Sequence, residues 1–259
     1  KGKNFLNYIK ADWKAYGLPG GVADSLVQIA QEVLGSGGPV ISAEKNAPFA
    51  VSNVPDVNMG SVDSIHGFLV SQMNDPNKFH CVPHVLGETS RSFALSGRDD
   101  ALESAAEAFK VLSNPDKTTD RAQRKIPVCS GLSGLGKTRM LEEWERVFDL
   151  AKIPKTRLGA LVLYYNGHMP QPIEKLMTIE ASFSWRLLHR LFFEGNGPVF
   201  RDWMNGMLPN NAKNLRLATA LKVIRSHLIT QGDLKESECL HMFLGIDEYQ
   251  SIEDVMGVQ

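Results

Sequence analysis

The sequence predicts an α/β fold with a parallel sheet, and three stretches of the chain carry that prediction. A Gly-rich loop at 131–138 lies between a short apolar run and an amphipathic segment. Residues 158–165 form a nearly unbroken apolar run, which is typical of a parallel strand covered on both faces. A second apolar run, 240–246, ends in Asp247 and Glu248. Helical segments alternate with these runs, as they do in α/β proteins.

The composition is that of a soluble globular protein. Of the 259 residues, 43% are hydrophobic and 22% are charged, which leaves ample apolar material for a core. The formal net charge of −1 offers no global attraction to nucleic acid or to an anionic membrane. No apolar run is long enough to span a bilayer. Three cysteines are too few for a disulfide framework, so we expect an intracellular location, in the cytoplasm or the nucleus.

Two regions are predicted along the chain. Residues 1–89 form a mostly helical and loop-rich N-terminal extension of unknown role, with helices within 5–34, a loop over 36–60 and a helix over 62–73. Residues 90–259 form the α/β domain.

The domain's elements are predicted from hydrophobic spacing and from end signals. They are, in order, a helix opened by a capping-box spacing at 96–99 and ending near 112, a strand starting at Pro127, a helix carrying 140–148, the strand 158–165, helices over 183–193 and 215–228, and the strand 240–246.

The loop Gly131–Thr138 is the first candidate site, because it has the sequence Gly-Leu-Ser-Gly-Leu-Gly-Lys-Thr. This pattern lets backbone N–H groups wrap a polyphosphate, and its glycines permit the close approach and the turns that such a loop needs. Lys137 supplies positive charge to the outer phosphates and is also a catalytic candidate, while the Thr138 hydroxyl can bind Mg²⁺. The predicted nucleotide-binding residues are Gly131, Ser133, Gly134, Leu135, Gly136, Lys137 and Thr138.

Asp247 and Glu248 form the second half of the predicted site. An aspartate at the carboxyl end of a buried strand lies where α/β sheets bind their ligands, and it can hold a hydrated Mg²⁺. The adjacent Glu248 is suited to activating the water that attacks the γ-phosphate. An isolated Asp-Glu pair would be an acidic turn after a strand, but the phosphate loop upstream favours the functional interpretation.

These motifs resemble the Walker A and Walker B elements of the additional-strand, catalytic-glutamate class of P-loop ATPases. The stretch Ser96-Gly97-Arg98-Asp99 before a helix resembles the Gly-Arg-acidic signature of AAA+ and STAND ATPases, and the resemblance places Arg98 near the nucleotide base. Together with 127–141, this stretch is similar to the NTPase module of Crinkler and retrotransposon-hot-spot proteins. The similarity covers about residues 90–259. The Crinkler header motif is absent from the sequence, so secretion into a host cell follows only if that resemblance holds.

The resemblance and the motifs together predict an enzyme, an ATPase that binds and hydrolyses ATP or another nucleoside triphosphate with Mg²⁺. Hydrolysis would drive a conformational switch or an effector activity. Two alternatives stay open: a P-loop kinase that transfers phosphate to a small acceptor, and a binding module in which nucleotide is structural and residues 1–90 engage a partner. A protein partner or self-association also stays open, whereas nucleic acid and membrane are not indicated by the charge and the hydropathy.

One strand of the resembled fold is missing from these predictions. In that class a further strand, which carries a polar sensor residue, lies between the loop strand and the Walker B strand and normally follows Walker B in sequence. Only eleven residues follow Glu248. Without that strand, the loop strand and the Walker B strand would each have unpaired backbone groups on the side that faces the gap, which is costly in a buried sheet. We therefore expect the P-loop core to be truncated after the Walker B strand. The alternative is direct pairing of 240–246 with the loop strand, as in kinases and GTPases.

Overall fold

A computed structural model describes residues 56–79, 97–113, 126–130, 136–154, 156–164 and 166–252. The chain divides into two units, Lys1–Ser52 and Asn53–Gln259, and every described residue belongs to the second. The helices predicted within 5–34 and the loop residues 131–135 lie outside the described residues.

Seven helices and two strands are present in the described part of the chain. They are α1 (Val62–Val70), α2 (Asp99–Leu112), α3 (Lys137–Glu142), α4 (Trp144–Leu150), β1 (Arg157–Leu163), α5 (Ile179–Phe192), α6 (Phe200–Gly206), α7 (Leu217–Gln231) and β2 (His241–Asp247). Short 3₁₀ turns occupy Asn166–His168, Pro172–Leu176, Ala212–Asn214 and Tyr249–Ser251.

The two strands are parallel neighbours, paired in register from Arg157 opposite His241 to Leu163 opposite Asp247. This confirms a mixed helix and strand architecture with a parallel sheet. The prediction that β1 is covered on both faces is also confirmed. Its even-numbered residues from Leu158 to Val162 pack into one core, and Leu161 and Leu163 pack into another, because successive side chains of a strand point to opposite faces.

The larger core lies on the face of β1 that packs against α5. Its fully buried aromatic residues are Tyr164, Trp185, Phe192, Phe193, Phe200 and Trp203. Helix α1 contributes Ile65, Phe68 and Leu69 to the same core. Helix α1 falls within the predicted 1–89 region, but it packs in the same core as β1 and α5 because its apolar stripe is buried there.

The smaller core lies on the opposite face and joins α2 and α4 to the strands. Phe109, Phe148 and Phe243 meet there with ring centroids 5.3–5.9 Å apart. Trp144 packs on the bare backbone of Gly159, where an added Cβ would lie 2.6 Å from the indole Nε1. Helix α4 and β2 are therefore fixed from this face by aromatic packing.

The predicted strand at Pro127 is wrong for the described residues. Residues 126–130 have no strand pairing, and the side chains of Ile126 and Val128 are 80% and 69% exposed. Proline cannot donate a ladder hydrogen bond, which weakens a short strand that begins there. In the described part of the chain β2 pairs with β1, so the direct pairing of 240–246 with the loop strand is not seen.

Two predicted helices differ in detail. The helix after the loop is divided at Glu143 into α3 and α4, directly before Trp144. Helix α2 begins at Asp99 with Arg98 as its N-cap, two residues later than the predicted capping box implies, and Ser96 itself lies outside the described residues. The helices over 62–73, 183–193 and 215–228 are confirmed with shifted ends.

None of the helices that the structure describes has the length and apolar character needed to cross a bilayer.

Candidate functional site

The described end of the Gly-rich loop is Gly136, which caps the start of α3. Its φ of 81° lies in the left-handed region, where a side chain would be strained. Helix α3 then begins at Lys137, and Thr138 follows in its first turn. The glycine therefore sets the direction in which these two predicted site residues leave the loop.

Asp247 is the last residue of β2 and is only 4% exposed. Its Oδ2 accepts a hydrogen bond of 2.6 Å from the Thr138 hydroxyl, and its Oδ1 accepts one of 3.0 Å from the backbone N–H of Glu248. The two predicted metal ligands are therefore in direct contact, although they are far apart in sequence.

Glu248 has an unusual backbone conformation, with φ at 56°. A non-glycine residue in the left-handed region costs of the order of 1–3 kcal/mol, and such residues cluster at active sites, although Lys152 away from the cavity has a similar φ of 59°. The half-buried Glu248 carboxylate accepts a hydrogen bond from the side-chain amide of Gln250. The chain thus holds this side chain at the end of β2 at a cost in backbone strain.

A cavity of about 620 Å³ opens beside these residues. This volume lies within the range of roughly 300–1,000 Å³ typical of small-molecule sites. Its polar wall includes Lys137, Asp247 and Glu248, and residues 126–130 lie along one side. The remaining wall is apolar and comes from α2, α3, α4 and β2, with Ala105, Phe109, Met140, Leu141, Val147, Phe243 and Ile246 among its residues.

The structure thus brings together four of the predicted site residues: Lys137, Thr138, Asp247 and Glu248. Arg98 lies at the start of α2 with its side chain exposed, and it is not among the described residues that line the cavity. Gly131, Ser133, Gly134 and Leu135 lie outside the described residues.

Sequence reasoning missed a buried ion pair at the carboxyl end of β1. Arg186 on α5 binds Glu174 through two parallel hydrogen bonds, Nε to Oε1 at 2.7 Å and Nη2 to Oε2 at 2.6 Å. Both side chains are almost inaccessible to solvent, at 2% and 0% exposure. Glu174 also accepts from the Ser182 hydroxyl and from the Gln171 backbone, so its carboxylate is fully satisfied.

The same Arg186 ties this ion pair to the strand end. Its Nη1 donates to the backbone oxygens of Leu163 and His168, each at 2.7 Å, and its guanidinium lies 4.2 Å from the ring centroid of Tyr164. The apolar helix predicted over 183–193 contains two arginines, Arg186 and Arg190, but the sequence alone does not identify Glu174 as a partner. The ion pair therefore holds the C-terminal end of β1 in place, and this end lies beside the C-terminal end of β2, where Asp247 is located.

Comparison of the chain with protein-family models, with curated proteins and with solved structures gave no match in any of the three. Its function is therefore inferred from the chemistry of the site.

Proposed function

We propose that this protein binds a nucleoside triphosphate, with ATP as the substrate, and hydrolyses it in the presence of Mg²⁺ to drive a conformational switch or an effector activity. One observation carries the proposal: the 2.6 Å hydrogen bond between Thr138 and Asp247, which lie 109 positions apart in sequence. It joins the end of the Gly-rich loop motif to the acidic end of β2 and leaves Lys137 on the same cavity.

The donor set fits Mg²⁺. A hydroxyl and a carboxylate are hard oxygen ligands, the kind that Mg²⁺ binds together with water and substrate phosphates. Asp247 is almost fully buried, and a buried carboxylate is costly unless charge or hydrogen bonds compensate it. Mg²⁺ held there with the phosphates would supply charge neutralisation during phosphoryl transfer. Thr138 and Asp247 are the residues that would hold it.

Lys137 has the phosphate-binding role in this proposal. Its ammonium group offers three donors and a fixed positive charge, and it lies on the wall of the cavity that also contains Asp247. Electrostatic stabilisation of transferred phosphoryl groups by such a charge is a large catalytic contribution in a site that excludes water.

Glu248 is the proposed general base that activates the attacking water. The carboxylate follows directly after the metal-binding aspartate and lies on the cavity wall, where it can accept a proton from water. The strained φ of 56° indicates that the surroundings hold this residue in place, as is common for residues at active sites.

The test is phosphate release from ATP with Mg²⁺, measured for the parent chain, Lys137→Ala and Glu248→Gln, with and without small hydroxyl-bearing acceptors. We expect the parent chain to release phosphate from ATP without any acceptor, and we expect both variants to lose this activity. Release that depends on an acceptor would favour the kinase alternative. Nucleotide binding without turnover would favour a binding module.

A further inference from the structure

A second polar cluster lies at the C-terminal end of α5, and none of its members lines the cavity beside Asp247. It consists of His168 in the 3₁₀ turn after β1, His189 on α5, and Glu194 just beyond that helix. One ligand atom from each residue lies within 4.8 Å of those of the other two. His168 Nε2 and Glu194 Oε2 are 3.3 Å apart.

His189 has a nitrogen lone pair that the described residues do not use. The side chain is 2% exposed, and its Nε2 lies 2.9 Å from the backbone oxygen of Pro198. A carbonyl oxygen only accepts, so Nε2 carries the proton and Nδ1 keeps its lone pair. Nδ1 is buried and has no hydrogen-bond partner among the described residues, which is costly for an acceptor. Metal-binding histidines characteristically donate their other N–H to a carbonyl or carboxylate in this way.

We propose that His168, His189 and Glu194 bind a divalent transition-metal ion of the zinc class, with a fourth position left to water. Two imidazoles and one carboxylate form a known ligand set of open zinc sites. With metal–ligand distances of about 2.0–2.1 Å, two ligands of a tetrahedron lie roughly 3.3–3.4 Å apart, which matches the separation of His168 and Glu194. The side chains of these two residues are 15% and 32% exposed, so the cluster is open to solvent on one side.

Two arginines flank the site with opposite consequences. Arg186 holds the backbone oxygen of His168 at 2.7 Å, which fixes the turn that presents this ligand. Arg190 Nη1 lies 3.1 Å from Glu194 Oε2, and its positive charge opposes the binding of a dication. The competing state is therefore an ion-pair cluster of His168, Glu194 and Arg190 that has no affinity for metal.

The experiment uses nucleotide-free protein that has been stripped with a chelator and then titrated with Zn²⁺ against a chromophoric competitor. We expect one equivalent to bind at this site. Glu194→Gln and His168→Gln should each weaken binding by roughly 100-fold or more, since even loss of an outer partner typically costs 10–100-fold. Co²⁺ should give visible absorption bands in the parent protein that both variants lose. Arg190→Gln, which removes the opposing charge, should strengthen binding.

A control tests whether Zn²⁺ binds instead to His80, Cys81 and His84, which lie outside the described residues. The titration is repeated on a background protein that carries His80→Asn, Cys81→Ser and His84→Asn. The proposal expects this background to keep its equivalent of Zn²⁺, and to lose it when Glu194→Gln or His168→Gln is added. Binding that disappears in the background protein, or that survives both ligand changes, overturns the proposal. Thermal unfolding without metal shows that each variant is folded.

Discussion

The hydroxyl of Thr138 donates to Oδ2 of Asp247 at 2.6 Å, so the first turn of α3 and the last residue of β2 are hydrogen-bonded to each other. This contact gives helix α3 a fixed position relative to the sheet, and it places the two oxygens that we propose as Mg²⁺ ligands side by side.

Replacing Thr138 should therefore lower both the stability of the chain and its Mg²⁺-dependent affinity for ATP. Thr138→Val keeps the side-chain shape but leaves Asp247 Oδ2, a buried acceptor, without this donor, which typically costs about 1–3 kcal/mol. We expect a lower free energy of unfolding in urea and weaker Mg²⁺-dependent ATP binding. Thr138→Ser keeps the hydroxyl and is the matched control. If Val and Ser variants behaved alike in both measurements, the contact would have no role in either property.

Two substitutions at Glu248 separate the effect of its backbone strain on stability from the effect of its carboxylate on hydrolysis. Glu248→Gln keeps the side chain's size but removes the base, and should slow hydrolysis by roughly a hundredfold or more while nucleotide still binds. Glu248→Gly should also abolish hydrolysis, but it relieves the positive φ and should raise the free energy of unfolding by about 1 kcal/mol. Phosphate release and urea unfolding are measured on both variants. Hydrolysis at the parent rate by Glu248→Gln would exclude this residue as the base.

The buried pair of Arg186 and Glu174 should be a major determinant of stability. Arg186→Met leaves the fully buried Glu174 charge without its partner, and breaking such a pair typically costs about 3–5 kcal/mol. The double variant Arg186→Met with Glu174→Gln removes both charges and should recover part of that loss. Urea unfolding of the single and double variants gives the coupling. A single substitution costing under about 1 kcal/mol would contradict the assignment.

The stability of the folded chain should fall in mild acid because of a histidine pair. His66 Nε2 lies 2.9 Å from His227 Nδ1, and burial lowers the pKa of both rings, that of His227 to about 4. Asp63 beside His66 and Asp233 beside His227 oppose these shifts.

In the unfolded chain both histidines titrate near pH 6.5, so between pH 6.5 and 4 the unfolded state binds more protons. The free energy of unfolding should therefore be fully retained above pH 6.5. It should decrease below that by up to about 1.4 kcal/mol per pH unit for each ring. Chemical unfolding from pH 8 to 4 measures this slope, and His227→Phe should make it shallower. A slope that is the same in the variant would show that His227 titrates alike in both states.

Local patterns in the sequence were sufficient to predict the elements that form the site. The apolar run 158–165 contains most of β1, and the run 240–246 contains most of β2 with Asp247 at its end, because apolar runs of this length bounded by polar residues are typical of strands in a covered sheet. The glycine pattern likewise predicted that a helix begins near Lys137.

Features that depend on partners distant in sequence were not predictable in this way. The apolar run at 126–130 has strand composition but no strand partner in the described part of the chain, and pairing is a property of the whole sheet rather than of the run. The bond between Arg186 and Glu174 spans twelve positions and a turn, and the cluster of His168, His189 and Glu194 depends on how α5 packs on β1. The roles assigned to Arg98 and to 131–135, and the expected truncation of the core, stay predictions.

Calorimetric titration of ATP into the protein in the presence of Mg²⁺ measures whether the cavity beside Lys137 and Asp247 binds a nucleoside triphosphate, as we propose. We predict one binding site in the parent chain. Lys137→Ala should weaken affinity by roughly 30- to 150-fold, because a charge-assisted contact to phosphate is worth about 2–3 kcal/mol. Lys152→Ala, which changes a lysine that does not line the cavity, is the matched control and should bind as the parent does. Equal affinity of Lys137→Ala and the parent, or no binding by the parent, would contradict the assignment.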